Sequence, residues 1–301
     1  MLQLAPQYSN TEADAEAASE VLHSRLAVLN QERFAPALPT AGWDEAFAER
    51  TILLREEHWF LENERRVVRE RARLAPRDPD GFLAWFEGLE ECGPGQHDPL
   101  FPWLATTASL EQMSWFLTQE VAGEAGFDDL VAVTQVRMPT QPKLELARNY
   151  WDEMGRGNPK GMHGPMLHDL ALALDLRPRV ESTVWESLAL ANTMAGLAAD
   201  RRYAYHSIGA LGVIELTGPG RSTQVARGLK RLGIRAAHRH YFDLHAVIDL
   251  RHSAAWNREV IRPLIDQNPA VAVAIAEGAL MRLNCGGRCF ERYRREFEGL
   301  L

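Results

Sequence analysis

The feature that most restricts what this chain can fold into is the period of its apolar residues, which is helical almost throughout. In EAASEVLHSRLAVLNQERF, Val21, Leu22, Leu26 and Leu29 fall on one stripe of a helix. The stretch 43–74 is a long, charged amphipathic run, and DPDGFLAWFEGLEE is a shorter one that opens on an Asp-Pro start signal. After the Gly/Pro-rich CGPGQHDPLFP, further helical runs are predicted over about 108–125, 128–136, 141–154, 163–176, 182–217, 221–232, 239–265 and 269–298. The breaks between them are MPTQP, GRGNPKG, DLRPRV, TGPG and DQNP. Period-two alternation is almost absent, so a sheet is not expected. The fold class is all-α: a core bundle over 101–301, with additional N-terminal helices in 1–100 packing on it.

Composition narrows the function classes. With 301 residues and 46% hydrophobic content the chain can bury a sizeable core. A net charge of -8 argues against a nucleic-acid partner, which needs a basic surface. No run of about 18 apolar residues suggests a membrane span, and the first residues lack the basic and apolar regions of a signal peptide. A cytoplasmic, soluble protein is expected. Cys92, Cys285 and Cys289 make neither a disulfide framework nor a zinc spacing and read as plain thiols.

One apolar helical segment carries an unusual polar set. In YFDLHAVIDLRHSAAW, His245, Asp249 and His252 stand at offsets of four and three, within about 60° of one another on a helix. Imidazole and carboxylate on one apolar stripe suit iron, manganese or zinc. The alternative is a helix face on which Asp249 simply hydrogen-bonds two structural histidines. Since one helix cannot close a site, other carboxylates on apolar helices become candidates. Glu145 and Asp152, seven apart in KLELARNYWDEMGRG, share a face. Glu215 follows eleven residues, 204–214, without Asp, Glu, Lys or Arg, and a solvent-facing acid at a helix C-terminus before Gly218 would oppose the helix dipole. His163 and His168, after a Gly-rich turn, read as caps or surface groups, and His238 and His240 as a solvated helix entry. The arginines from Arg65 to Arg73 read as a solvated face with acidic partners at helical spacing. Six carboxylate-rich groups exceed what a single zinc needs and fit two oxygen-loving metals. The ferritin-like pattern of two Glu-x-x-His pairs is not present.

The order Glu145, Asp152, Glu215, then His245-x3-Asp249-x2-His252, resembles the haem-oxygenase-like di-iron oxidases and oxygenases, often labelled iron-containing redox enzymes. WDEMGRGNP and YFDLHAVIDLRHS are the pieces that carry the likeness. The resemblance implies a haem-oxygenase-like helical bundle in which these six residues hold two labile iron ions. It implies O2 as co-substrate and a small substrate, carboxylate-bearing and amino-acid-like, that undergoes N-oxygenation, desaturation, oxidative decarboxylation or C–C cleavage. Many members place His where this chain has Asp152. Glu120, in FLTQEVAGEAGF, resembles an extra Glu that some members add from the preceding helix. A homodimer and an external electron donor are compatible with such an enzyme. The rival readings are a metal-free cofactor-processing enzyme on the same bundle and a non-catalytic helical interaction protein.

Overall fold

The computed structural model describes residues 12–39, 41–123 and 126–297. The first residues, and the ends of the helices expected over 108–125 and 269–298, lie outside the described residues. In chain order the helices are α1 (Glu12–Phe34), α2 (Trp43–Arg73), α3 (Pro79–Glu87), α4 (Leu89–Cys92), α5 (Leu100–Thr106), α6 (Leu110–Gly123) and α7 (Phe127–Thr134). There follow α8 (Thr140–Glu153), α9 (His163–Ala173), α10 (Trp185–Ala199), α11 (Ala204–Arg231), α12 (Ala236–Ala255), α13 (Arg262–Gln267) and α14 (Val271–Glu296). Among the described residues there is no strand, only an isolated bridge between Met154 and Met162. No helix among them is long and apolar enough to cross a membrane.

Local chemistry sets several of these boundaries. Asp78 caps α3 by accepting the Gly81 amide at 2.8 Å, with Pro79 at the first helical position. Asp200 does the same for the turn at Arg201–Tyr203 by accepting the Arg202 amide at 2.9 Å, which splits the run expected over 182–217 into α10 and α11. The opposite error occurs at TGPG. There α11 runs on for 28 residues with Pro219 inside it. Proline lacks the amide that would bond the Glu215 carbonyl four residues back, a local cost. Burial of Leu216, Val225 and Leu229 against the core offsets that cost and keeps the helix continuous. Glu215 is therefore mid-helix rather than at a C-terminus. The run expected over 239–265 is interrupted by a π-helical turn, Trp256–Ile261, directly after α12.

α11 is the axis of the bundle, flanked by α12 and α14, with α10 packed on α14. The α11–α14 crossing is nearly backbone to backbone. A Cβ at Gly209 would lie 1.8 Å from the Ile275 carbonyl oxygen, and one at Gly278 would lie 1.9 Å from that of His206. α1 rests on α10 and α2 on α14, so Leu26, Leu29, Phe60 and Leu61 join the same apolar core as Ile208, Leu211 and Ile275. This leaves one side of the bundle, between α8, α9, α11 and α12, to hold the polar groups.

Candidate metal centre

The centre is built where α8 ends and α9 begins. Glu153 is the last residue of α8 and His163 the first of α9. Between them, Gly155, Arg156 and Gly157 all take positive φ, and a Cβ on Gly155 would lie 2.3 Å from the Gly161 carbonyl carbon. Only glycine fits that crossing. The Met154–Met162 bridge then closes the loop, and His163 Nδ1 comes to 2.6 Å from Glu153 Oε2, both side chains buried.

From the other side α12 supplies two imidazoles. His245 Nδ1 donates to the Tyr241 carbonyl at 2.6 Å, which leaves Nε2 as the lone-pair nitrogen, 3.0 Å from His163 Nδ1. His252 Nε2 meets Asp152 Oδ2 at 3.2 Å, while its Nδ1 lies 3.4 Å from Glu215 Oε2 and 4.0 Å from Glu153 Oε1 without forming a hydrogen bond. Glu215, 2% exposed on α11, accepts the Asn149 amide group at 2.6 Å through Oε1. Asp249 is buried in the same wall, facing α11 where a Cβ at Gly218 would touch its Oδ2 at 3.0 Å.

These contacts resolve into two groups with a common member. Glu153, His163 and His245 each offer one ligand atom, all within 4.8 Å of one another, and so do Glu153, Glu215 and His252. The electrostatics differ between the imidazoles. Burial, helped by the neighbouring His252, pushes His163 down to about 4, and burial with His163 does the same to His245. Burial would also lower His252, but the Glu215 carboxylate facing its Nδ1, then Asp152 hydrogen-bonded to its Nε2, raise it to about 9. Two neutral nitrogens and buried carboxylates facing a common space suit a cation. The donor set of carboxylates and imidazoles, with no thiolate because Cys285 and Cys289 are buried elsewhere, suits iron.

Glu145 and Asp152, singled out from the sequence, lie outside both groups. Glu145 lies just over two turns before Glu153, and its carboxylate pairs with Arg148 at 2.5 Å instead of joining the cluster. Asp152 faces sideways from its neighbour, taking Arg156 on Oδ1 at 2.6 Å and the outer nitrogen of His252 on Oδ2. It orients that histidine rather than completing either group. Helical-face reasoning picked the pair seven apart, but the groups that meet are joined by a loop. His163, read as a cap or surface group, is 4% exposed and central. Glu215, His245, Asp249 and His252 do come together. Glu120 does not join them: it accepts the Tyr293 hydroxyl at 3.1 Å. His206, by contrast, is tied to Glu277 at 2.9 Å, within an ion-pair chain through Arg65.

No curated protein matches the chain. A family model described as iron-containing redox enzyme matches residues 114–287, a span that contains every residue of the centre.

Proposed function

The chain belongs to the iron-containing redox enzyme family, and from that premise we propose that it is an O2-dependent non-haem di-iron oxidase or oxygenase acting on a small organic substrate. The observation that carries this reading is the pair of three-residue groups sharing Glu153. Glu153, His163 and His245 would hold one iron ion and Glu153, Glu215 and His252 the other, with Asp249 beside them. Iron held there would supply the redox chemistry, with the organic substrate or an external donor as the source of electrons.

The chain's own residues do the positioning. The Tyr241 carbonyl fixes the His245 tautomer, and Asp152 holds the His252 ring by its outer nitrogen, a support that typically changes metal affinity 10- to 100-fold, as an order of magnitude. The Asn149 amide fixes one Glu215 oxygen and leaves the other toward His252. Leu190, Met194 and Ile214 line the adjoining cavity with apolar surface that excludes water from the reacting region. The test is anaerobic loading with Fe(II), metal analysis, and O2 uptake on mixing with air. About two iron ions per chain with iron-dependent O2 consumption is expected. Failure to retain iron, with the fold intact, overturns the reading in favour of a buried hydrogen-bond network.

A further inference from the structure

The cavity beside the cluster holds about 130 Å³. A cavity of roughly 150 Å³ accommodates benzene, so the ligand is small. One wall is the cluster, with Glu153, His163, Glu215 and His245. Another is the apolar side of α10. From α14 comes Arg282, the only lysine or arginine among the lining residues.

Arg282 is half-buried and forms no hydrogen bond or ion pair among the described residues, and its Nε is fully buried without a partner. Other arginines that reach inward are matched. Arg288 on the same helix meets Glu64 at 2.9 Å, and Arg65 meets Glu62 at 2.8 Å. The guanidinium of Arg282 lies along α14 over Gly286, where a Cβ would come within 2.8 Å of its Nη1. Beside it stands a second half-buried cation, Arg221 of α11, packed over the Phe290 ring at 5.7 Å and also without an ion-pair partner among the described residues. Burial and the repulsion of Arg282 lower Arg221 to about 10. The field of Glu120 reaches both arginines without a hydrogen bond to either, and that of Asp249 reaches Arg221. Glu120 is itself pushed up by burial and engaged by Tyr293, and Asp249 stands with the cluster. A guanidinium left unmatched at a cavity wall is costly unless an anion completes it, and its planar fork suits a carboxylate.

We infer that Arg282 anchors the carboxylate of a small organic acid bound in this cavity, with Arg221 reinforcing the positive field and the rest of the ligand directed at the cluster. This rests on the cavity being the substrate site of the oxidase proposed above. A carboxylate held at α14 is kept off the metal side, so the acid's carbon chain rather than its charged end meets the reacting region.

The experiment is calorimetric titration of the anaerobic, Fe(II)-loaded protein, and of the chelator-stripped protein, with butyrate and L-alanine against butyramide and L-alaninamide, and with inorganic phosphate. At least one carboxylate is expected to bind wild type ~10-fold or more tightly than its amide, since one good charge-assisted pair contributes on that scale. Arg282→Gln is expected to abolish that preference at unchanged iron content, and Arg282→Lys to retain part of it. Gly286→Ala, which crowds the guanidinium without altering its charge, is expected to weaken the carboxylate selectively. Equal binding of acid and amide, no binding of either, a preference that survives Arg282→Gln, or tighter Arg282-dependent binding of phosphate overturns the assignment. The two readings fail separately. Arg282-dependent carboxylate binding in protein that retains no iron removes the di-iron reading alone. Full iron loading without an Arg282-dependent preference removes the anchor alone.

Discussion

The carboxylate of Glu153 lies 2.6 Å from Nδ1 of His163, although ten positions and a loop of irregular backbone separate them in sequence. That contact joins the ends of α8 and α9 and fixes the member shared by both ligand groups.

The contact depends on Gly155. At φ 58, with a Cβ that would strike the Gly161 backbone, alanine cannot be accommodated unless the crossing opens. Gly155→Ala is expected to cost more than about 1 kcal/mol in chemical denaturation and to lower iron loading together with it. Gly220→Ala is the control, because a Cβ there meets nothing within 4 Å and the site is helical. It is expected to be neutral or to stabilise by up to about 1 kcal/mol. Equal iron loading in the two variants would show that the loop does not set the centre.

Asp152 and Glu145 make a second contrast. Asp152→Asn leaves a polar group against His252 but removes the charge that orients it, so iron affinity is expected to fall roughly 10- to 100-fold with little change in fold stability. Glu145→Gln removes only a pairing with Arg148, itself 65% exposed, and is expected to leave affinity unchanged, since such pairs contribute about 0–1 kcal/mol. Competition of the apo variants for Fe(II) against a coloured chelator separates them.

The helical period made the fold class legible because amphipathic stripes report burial directly: Leu22, Leu26 and Leu29 turn inward, while Val21, on the edge of that stripe, stays exposed. The spacing of His245, Asp249 and His252 was legible for the same reason, since a single helix fixes their relative direction. Glu215 stood out by isolation in a charge-free run. What one helix does not fix was not legible. Glu153 and Asp152 are adjacent, and only the crossing at Gly155 decides which of them meets His163. Likewise Pro219 reads locally as a stop, and it takes the packing of α11 against α12 and α14 to carry the helix past it. Arg282 carries no local signal at all, because its significance is that no described residue hydrogen-bonds or ion-pairs with it in space.

His23, on α1, tests the packing of that helix on α10. Its ring lies edge-on to Phe60 at 4.7 Å and stacked on Trp185 at 5.7 Å, and the side chain of Asn192 donates to its backbone carbonyl. Burial, aided by Arg288, lowers it from 6.5 to about 4. Because the folded value lies below the unfolded one, the contribution is complete above pH 6.5 and is lost as pH falls from 6.5 towards 4, while the unfolded chain takes up a proton the fold refuses. The loss is on the order of 2 kcal/mol by pH 5. Other buried histidines titrate in parallel, so the measurement is the difference between wild type and His23→Gln in urea unfolding at pH 7 and pH 5. His23→Gln is expected to show the shallower decline. Parallel declines would mean that His23 is solvated in the folded chain.

The two ligand groups predict a pattern that single losses cannot mimic. Glu215 belongs only to the group with His252, and His163 only to the group with His245, whereas Glu153 belongs to both. Glu215→Gln keeps the side chain's size and its place beside Asn149 but removes the charge. It is expected to lower iron content by about half and abolish O2-dependent turnover, with the fold retained. His163→Ala is expected to lose the other half. Glu153→Gln is expected to lose nearly all iron. The double variant Glu215→Gln/His163→Ala should then resemble Glu153→Gln, because each member strips a different site. Metal analysis after anaerobic loading reads all four, and circular dichroism checks that each remains helical. If Glu153→Gln kept as much iron as Glu215→Gln, the carboxylate would serve one site and not bridge two. If Glu215→Gln kept full loading and full turnover, the buried acid at the centre of α11 would be a hydrogen-bonding partner of Asn149 and nothing more.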